Sequence, residues 1–206
     1  MYKKRGRVFV ISGPSGVGKG TLVKETLKRK NLHLSISYTS RKPRFNEEED
    51  QSYYFIDKDK FKKMINEGVF AEWAEVYGNY YGTPYAELEK HLVRGEDVIL
   101  EIEMIGAAQI KSMGEDAVLV FVLPPSLAML KERLKKRGTE KEEAIAKRLS
   151  CTMDELKHIK DYDYYLVNND IDKATEQLLA IIEAENHRVS RAFLDYLETS
   201  EREFSL

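Results

Sequence analysis

Cysteine is almost missing from this chain: Cys151 stands alone among 206 residues, which excludes a disulfide within it. No apolar run approaches the roughly 20 residues that span a bilayer. The start, Met1-Tyr2-Lys3-Lys4-Arg5, leads into a strand too short and too polar for a signal sequence. Neither sign of charge dominates. The 33 Lys and Arg face 35 Asp and Glu, a net of −2, so there is no general attraction to nucleic acid or to an anionic membrane, and any anion binding must be local. His33, His91, His158 and His187 are scattered, without the cysteine or carboxylate spacing that marks a zinc site. Internal repeats and low-complexity segments are absent too. A cytoplasmic protein is expected, and 206 residues at 42% hydrophobic content suffice for one compact unit with small inserted lobes.

What is present concentrates near the start. Val8-Phe9-Val10-Ile11-Ser12 is an apolar, β-rich run. The glycine-rich turn Gly13-Pro14-Ser15-Gly16-Val17-Gly18-Lys19-Gly20-Thr21 follows, and an amphipathic helix begins between Lys19 and Leu22. Strand, glycine loop, lysine and helix in that order are the context of a loop that wraps the phosphates of a nucleoside triphosphate. Gly13, Gly16 and Gly18 permit backbone dihedrals closed to other residues, so that successive N–H groups can face one anion. The helix start adds unpaired N–H groups and the positive end of its dipole, and Lys19 adds a full charge for the β- and γ-phosphates. Ser15, Val17, Gly20 and Thr21 complete the expected lining. One position departs from the usual pattern, which puts Ser or Thr directly after the lysine to hold Mg²⁺; here Gly20 stands there and Thr21 follows. The Gly-Lys-Gly-Thr order occurs in nucleoside monophosphate kinases, and Thr21 is the expected metal contact.

Farther along, 32–38 alternates apolar and polar as one half-buried strand. Arg41 and Arg44 follow, held by Pro43 in an extended segment, two guanidinium forks able to converge on one phosphate. A solvated basic turn is the ordinary alternative. The acidic stretch 45–51 reads as a mobile loop, 53–56 as a strand, and 58–67 as a helix capped by Asp57. Residues 70–77 and 79–83 read as strands around a Gly78-Asn79 turn. Their tyrosines are core filler in most proteins, but phenolic hydroxyls also suit a phosphate, and Glu72 suits a base edge that carries donors. After a helix over 84–94, the segment 97–103 reads as a buried parallel strand ending in Glu101 and Glu103, on one face, where carboxylates near a phosphate loop commonly serve Mg²⁺. A strand at 117–123, a helix at 126–136, a strand at 164–167, a turn and cap at 168–170 and a helix at 171–185 complete the alternation. Arg133, Arg137 and Arg148 bracket the polar stretch 138–143, read as a mobile cover. Such arginines meet charge that develops on a transferred phosphoryl group; a helix surface laced with ion pairs is an equal alternative. Val189, Phe193 and Leu197 recur every four residues in a further helix, to which only packing or self-association can be assigned.

Six motifs in order carry a resemblance over almost the whole chain: the loop 13–21, Ser37-Tyr38-Thr39-Ser40-Arg41-Lys42-Pro43-Arg44, Phe70-Ala71-Glu72-Trp73-Ala74, Gly78-Asn79-Tyr80-Tyr81-Gly82-Thr83, Arg137-Gly138-Thr139-Glu140 and Val167-Asn168-Asn169-Asp170. With them the chain resembles the guanylate kinases. The resemblance implies an α/β fold: a parallel-sheet core of the phosphate-loop type flanked by helices (1–36, 96–136 and 149–206), an inserted mixed α/β lobe that grips GMP (about 37–95), and a helical lid over ATP (about 137–148). It implies that Arg41, Arg44, Tyr53 and Tyr81 hold the GMP phosphate, that Ser37, Glu72, Thr83 and Glu103 surround guanine, and that Asn168 meets adenine. Lys19 would bind the ATP phosphates, Arg133, Arg137 and Arg148 would act from the lid, and Glu101 would hold hydrated Mg²⁺. Glu103 stands where the family usually has aspartate, and Ile105 where it usually has glutamine.

The activity so implied is direct, in-line transfer of the γ-phosphoryl group of ATP to GMP or dGMP, with no nucleic acid or membrane partner and with the oligomeric state left open. Two alternatives stand beside it: a noncatalytic guanylate-kinase-like module that binds proteins, and a kinase for another nucleoside monophosphate.

Overall fold

The computed structural model describes residues 5–44, 47–48, 51–114, 117–136, 142–189, 193, 196–197 and 200, with 136 and 142–148 described by their backbone alone. In chain order the elements are β1 (Val8–Ser12), α1 (Lys19–Arg29), β2 (His33–Leu34), β3 (Tyr38–Thr39), β4 (Tyr54–Phe55), α2 (Lys58–Asn66), β5 (Phe70–Val76), β6 (Asn79–Pro84) and α3 (Tyr85–Leu92). Then follow β7 (Val98–Glu101), α4 (Met104–Ser112), β8 (Ala117–Leu123), α5 (Leu127–Lys136), α6 (Glu142–Leu156), a single 3-10 turn, β9 (Tyr164–Val167) and α7 (Ile171–Asn186).

Every residue of β1 is buried, as a central parallel strand covered on both faces requires. Phe9 and Ile11 join Leu22, Val23, Leu178 and Ile182 in one apolar cluster, between the sheet and helices α1 and α7. Val8 and Val10, on the opposite face, join Leu88, Leu92, Ala107 and Ile110 of α3 and α4. The core sheet runs β2-β7-β1-β8-β9, all parallel. A second sheet runs β4-β3-β6-β5, with β5 and β6 forming an antiparallel hairpin. Among the described residues no helix is long and apolar enough to cross a membrane.

Three expectations need correction. The stretch 32–38 is two strands rather than one: His33–Leu34 pairs with β7 in the core sheet, and Tyr38–Thr39 pairs with β4 and β6 in the other. Alternation fixes which face a residue takes, not which sheet it joins. The strand expected over 97–103 stops at Glu101, and Glu103 is instead the N-cap position of α4. Helix α4 itself went unread, because its buried residues Gly106, Ala107 and Ile110 give almost no amphipathic period. The hairpin turn is Tyr77-Gly78, both at positive φ (50° and 75°), the two-residue type whose twist suits paired strands. Asp57 caps α2 and Asp170 caps α7 as read, accepting from the Lys60 and Lys173 amides. Most of the loop at 45–51, the centre of the expected cover and much of the helix after Val189 lie outside the described residues.

A buried ion pair ties the residue before β1 to α7. Arg7 donates to Glu185 (3.2 Å) and to the Arg188 carbonyl (3.3 Å), and the Tyr164 hydroxyl donates to the other Glu185 oxygen at 2.6 Å. Removing one partner strands a charge in the interior. Arg7→Met should lower the unfolding free energy by about 3 kcal/mol in urea titration, and adding Glu185→Leu should restore part of that loss.

Candidate active site

The loop between β1 and α1 is shaped by three glycines at positive φ: Gly13 (139°), Gly16 (89°) and Gly18 (99°). A Cβ at Gly13 would also fall 2.3 Å from the Val122 carbonyl oxygen, and one at Gly18 would fall 2.6 Å from the Asn168 amide nitrogen. Gly18, the N-cap of α1, has no side-chain cap to offer, so the first-turn N–H groups stay available for an anion. Lys19 is nine-tenths buried, with its ammonium turned back onto the Gly13 and Pro14 carbonyls.

The loop is fastened from behind. The Val17 carbonyl accepts from Arg133 Nη1 (3.0 Å) and from Asn168 Nδ2 (2.9 Å), and Arg133 Nη2 also donates to the Asn168 carbonyl (2.9 Å). Arg133, on α5, and Asn168, just past β9, therefore act here on the loop's shape; neither lines the open cleft.

That cleft holds about 420 Å³ and brings side chains from both sheets to the loop. Ser15, Gly16, Gly18, Lys19, Gly20 and Thr21 line it from the loop and α1; Ser37, Arg41, Arg44, Tyr53, Glu72 and Tyr81 line it from the second sheet and its neighbouring segments; Glu101 and Glu103, at the β7–α4 junction, share the lining. A Cβ at Gly20 would sit 3.3 Å from Glu101 Oε2, so a serine or threonine there would need the exposed Glu101 carboxylate to shift by a few tenths of an ångström.

At the far end Arg41 is clamped by aromatic and acidic groups. Its guanidinium lies 5.1 Å from the Tyr53 ring centroid, Nε donates to the Tyr81 hydroxyl at 3.2 Å, and its two terminal nitrogens donate to Glu47 at 2.6 and 2.8 Å. The Arg44 amide donates to the same carboxylate at 2.8 Å, and its guanidinium lies 3.7 Å away. Arg41 and Arg44 thus converge on one anionic group, here supplied by the protein itself. Those hydrogen bonds outweigh desolvation and hold Glu47 below the usual carboxylate range. Burial pushes the Tyr53 phenol up to about 12, so it remains a neutral donor.

Glu72 is the second unusual carboxylate. It is 3% exposed, and burial pushes its pKa up to about 7, despite a 2.6 Å hydrogen bond donated by the Thr83 hydroxyl. Thr83 is fully buried behind it, with the Ser37 hydroxyl 3.4 Å away. A Cβ on Gly106 would fall 2.1 Å from Glu72 Oε2, so only glycine on α4 leaves room for this carboxylate.

Of the remaining expected residues, Arg137 lies outside the described residues, as does the side chain of Arg148 on α6. Ile105 is exposed on α4 and does not line the cleft. Sequence reasoning missed Glu47, Tyr77 and Glu155 of the lining. Glu47 had a signal, an acid three residues after Arg44; Glu155, one acid on a mixed helix, had none.

Comparison with known proteins agrees with this geometry. The guanylate kinase family model matches residues 5–185. The chain is 50% identical over 192 residues to the guanylate kinase of Clostridioides difficile, covering 93% of this chain and 94% of that one. It is 48% identical over 200 residues to that of Caldanaerobacter subterraneus, covering 97% of both. The crystal structure of guanylate kinase from Anaplasma phagocytophilum superposes with a TM-score of 0.78 at 33% identity, over 92% of this chain and 90% of that one. A glycine loop braced through Val17, a converging arginine pair and a buried carboxylate meet in a chain that this family's model matches over residues 5–185: the protein belongs to the guanylate kinase family.

Proposed function

We propose that the cleft performs ATP:GMP phosphotransfer with GMP seated at the Glu72 end and the ATP phosphates on the loop. The observation that carries this reading is that one cleft holds both the glycine loop and the Glu72 carboxylate. Guanine presents donors at N1 and N2 and an acceptor at O6. An ionised Glu72 accepts from the donors, and the Ser37 and Thr83 hydroxyls lie at the same edge. Adenine would put a lone pair against the carboxylate, and a buried group left unpaired costs about 1–3 kcal/mol. Arg41, Arg44, Tyr53 and Tyr81 take the GMP phosphate in place of Glu47, which aligns one phosphate oxygen for in-line attack. Glu103 reaches the guanine side from the α4 N-cap.

On the ATP side, Gly13, Ser15, Gly16, Val17, Gly18 and Gly20 supply backbone, and Lys19 exchanges the Gly13 carbonyl for phosphate oxygens. Asn168 and Arg133 hold the loop's shape through the Val17 carbonyl, behind the ATP phosphates, with Asn168 on the side where adenine would lie. Thr21 and Glu101 are hard oxygen donors suited to Mg²⁺, directly or through water. When bound, Mg²⁺ neutralises charge on the transferred phosphoryl group. Arg137 and Arg148 complete the lid, 137–148, over the core, with 37–95 as the GMP lobe. The cytoplasm is the compartment that fits the lone Cys151.

ADP release from Mg-ATP with GMP, dGMP, AMP, UMP or dTMP in separate reactions tests the reading. Turnover confined to GMP and dGMP is expected, and turnover with AMP would discard the Glu72 contact. Lys19→Met should keep the melting temperature and lower kcat by about 10²–10³, the scale of one lost donor to developing charge; a well-folded, active variant would overturn the role given to Lys19.

Because Glu72 titrates near pH 7 and guanine needs its charged form, lowering the pH through that value protonates the partner that GMP requires. KM for GMP should therefore be flat above about pH 8 and rise toward about tenfold per unit below about pH 6, since one proton must leave for each GMP bound. Glu72→Gln should raise KM and remove this slope.

A further inference from the structure

At the outer edge of the core sheet, His33 and His91 lie as stacked rings, their centroids 3.4 Å apart and their planes 9° from parallel. His33 opens β2. His91 stands in the last turn of α3, four residues after Glu87, so the two share one helix face. His91 Nε2 lies 3.0 Å from Glu87 Oε1, and its Nδ1 is hydrogen-bonded to the Glu96 carboxylate. His33 Nε2 is buried and has no hydrogen-bond partner. One ligand atom from each of His33, Glu87 and His91 falls within 4.8 Å of the others.

The charge states suit a cation. Burial, then the neighbouring His91, holds His33 below the ordinary imidazole value, so the ring is neutral at pH 7. The hydrogen bond from His91 holds Glu87 below the usual carboxylate range, so it is ionised. A neutral imidazole with an unsatisfied nitrogen, a second imidazole whose other nitrogen is oriented by a carboxylate, and an ionised carboxylate make the donor set of a borderline divalent ion. Two rings stacked face to face are also an arrangement that their own quadrupoles oppose.

We propose that His33, Glu87 and His91 bind a divalent transition-metal ion of the zinc type, at a site separate from the nucleotide cleft. The rings splay by side-chain rotation so that their nitrogens reach about 2.0–2.1 Å from the ion, and water completes the coordination. Lys90, 3.3 Å from both Glu87 oxygens, gives way to the stronger ligand interaction. Glu96 stays on His91 Nδ1 and fixes its tautomer. The position excludes a part in phosphoryl transfer. His33 pairs with Val98, which also pairs with Val8 at the start of β1, whereas the phosphate loop leaves β1 at its other end. The ion instead clips β2 to α3, the helix that carries the chain from the second sheet back to the core.

The test uses the full chain freed of metal by a chelator, titrated with Co²⁺ and then Zn²⁺. Expected are one equivalent of Co²⁺ with the intense visible bands of a low-symmetry, nitrogen-ligated ion, their loss on adding Zn²⁺, and a higher melting temperature with Zn²⁺. His33→Asn and Glu87→Gln should each weaken Zn²⁺ binding by about tenfold or more and abolish the thermal shift. GMP-dependent ADP release should stay unchanged in both. Co²⁺ giving only the weak spectrum of an oxygen-ligated ion, or variants that bind Zn²⁺ as tightly as the parent chain, would overturn the site. Glu87 lies on the surface of α3, so Glu87→Gln keeps the test decisive if His33→Asn fails to fold.

Discussion

The Val17 carbonyl is the point on which the glycine-loop end of the cleft hangs. A loop of glycines at positive φ has little side-chain packing of its own to hold it, and its backbone freedom would be lost entropy on binding. Two donors, from Arg133 on α5 and Asn168 beyond β9, converge on that single oxygen. Behind the loop, Val17 itself is fully buried in the cluster that joins α1 and α7 to the sheet. The loop's shape therefore depends on the core sheet being complete out to β9, its last strand.

The other end of the cleft is organised by the opposite expedient: buried charge held by neighbours. Glu72 sits almost without solvent, against a helix that has to present glycine at 106, and its only described hydrogen-bond donor is Thr83. Desolvation makes that carboxylate reluctant to ionise, and a ligand offering two N–H donors supplies what water supplied in the unfolded chain. In the proposed reading, selectivity and discomfort share one cause. The fold tolerates Glu72 through the hairpin β5–β6, whose register sets Glu72 opposite Thr83.

How much of this was legible beforehand depended on how local each signal is. The loop, the caps at Asp57 and Asp170, and strands β8 and β9 were readable because short-range chemistry determines them. The division of 32–38 between two sheets was not, because the pairing partners, near 54, 82 and 98, are distant in sequence and leave no local mark. Helix α4 was invisible for a related reason: packed between the core sheet and β5, it needs small residues more than an apolar stripe. Arg133 and Asn168 could be picked out from their motifs, yet their bonds to the Val17 carbonyl could come only from coordinates. The meeting of His33 with His91 belongs to the same class, although Glu87 and His91 at helical spacing gave half of it.

Glu47 carries a consequence for what the cleft admits. The Arg41 fork is already matched by a carboxylate at 2.6 and 2.8 Å, and Arg44 leans on the same group. An arriving phosphate thus gains only the difference between two charge-assisted pairings rather than the whole of one. A bare anion has little to win by exchange, while a nucleotide that also satisfies Glu72 draws on both ends of the cleft. If GMP is seated as proposed, the internal counterion works as a threshold: free phosphate would gain little at the arginines, and the decision would fall to the base.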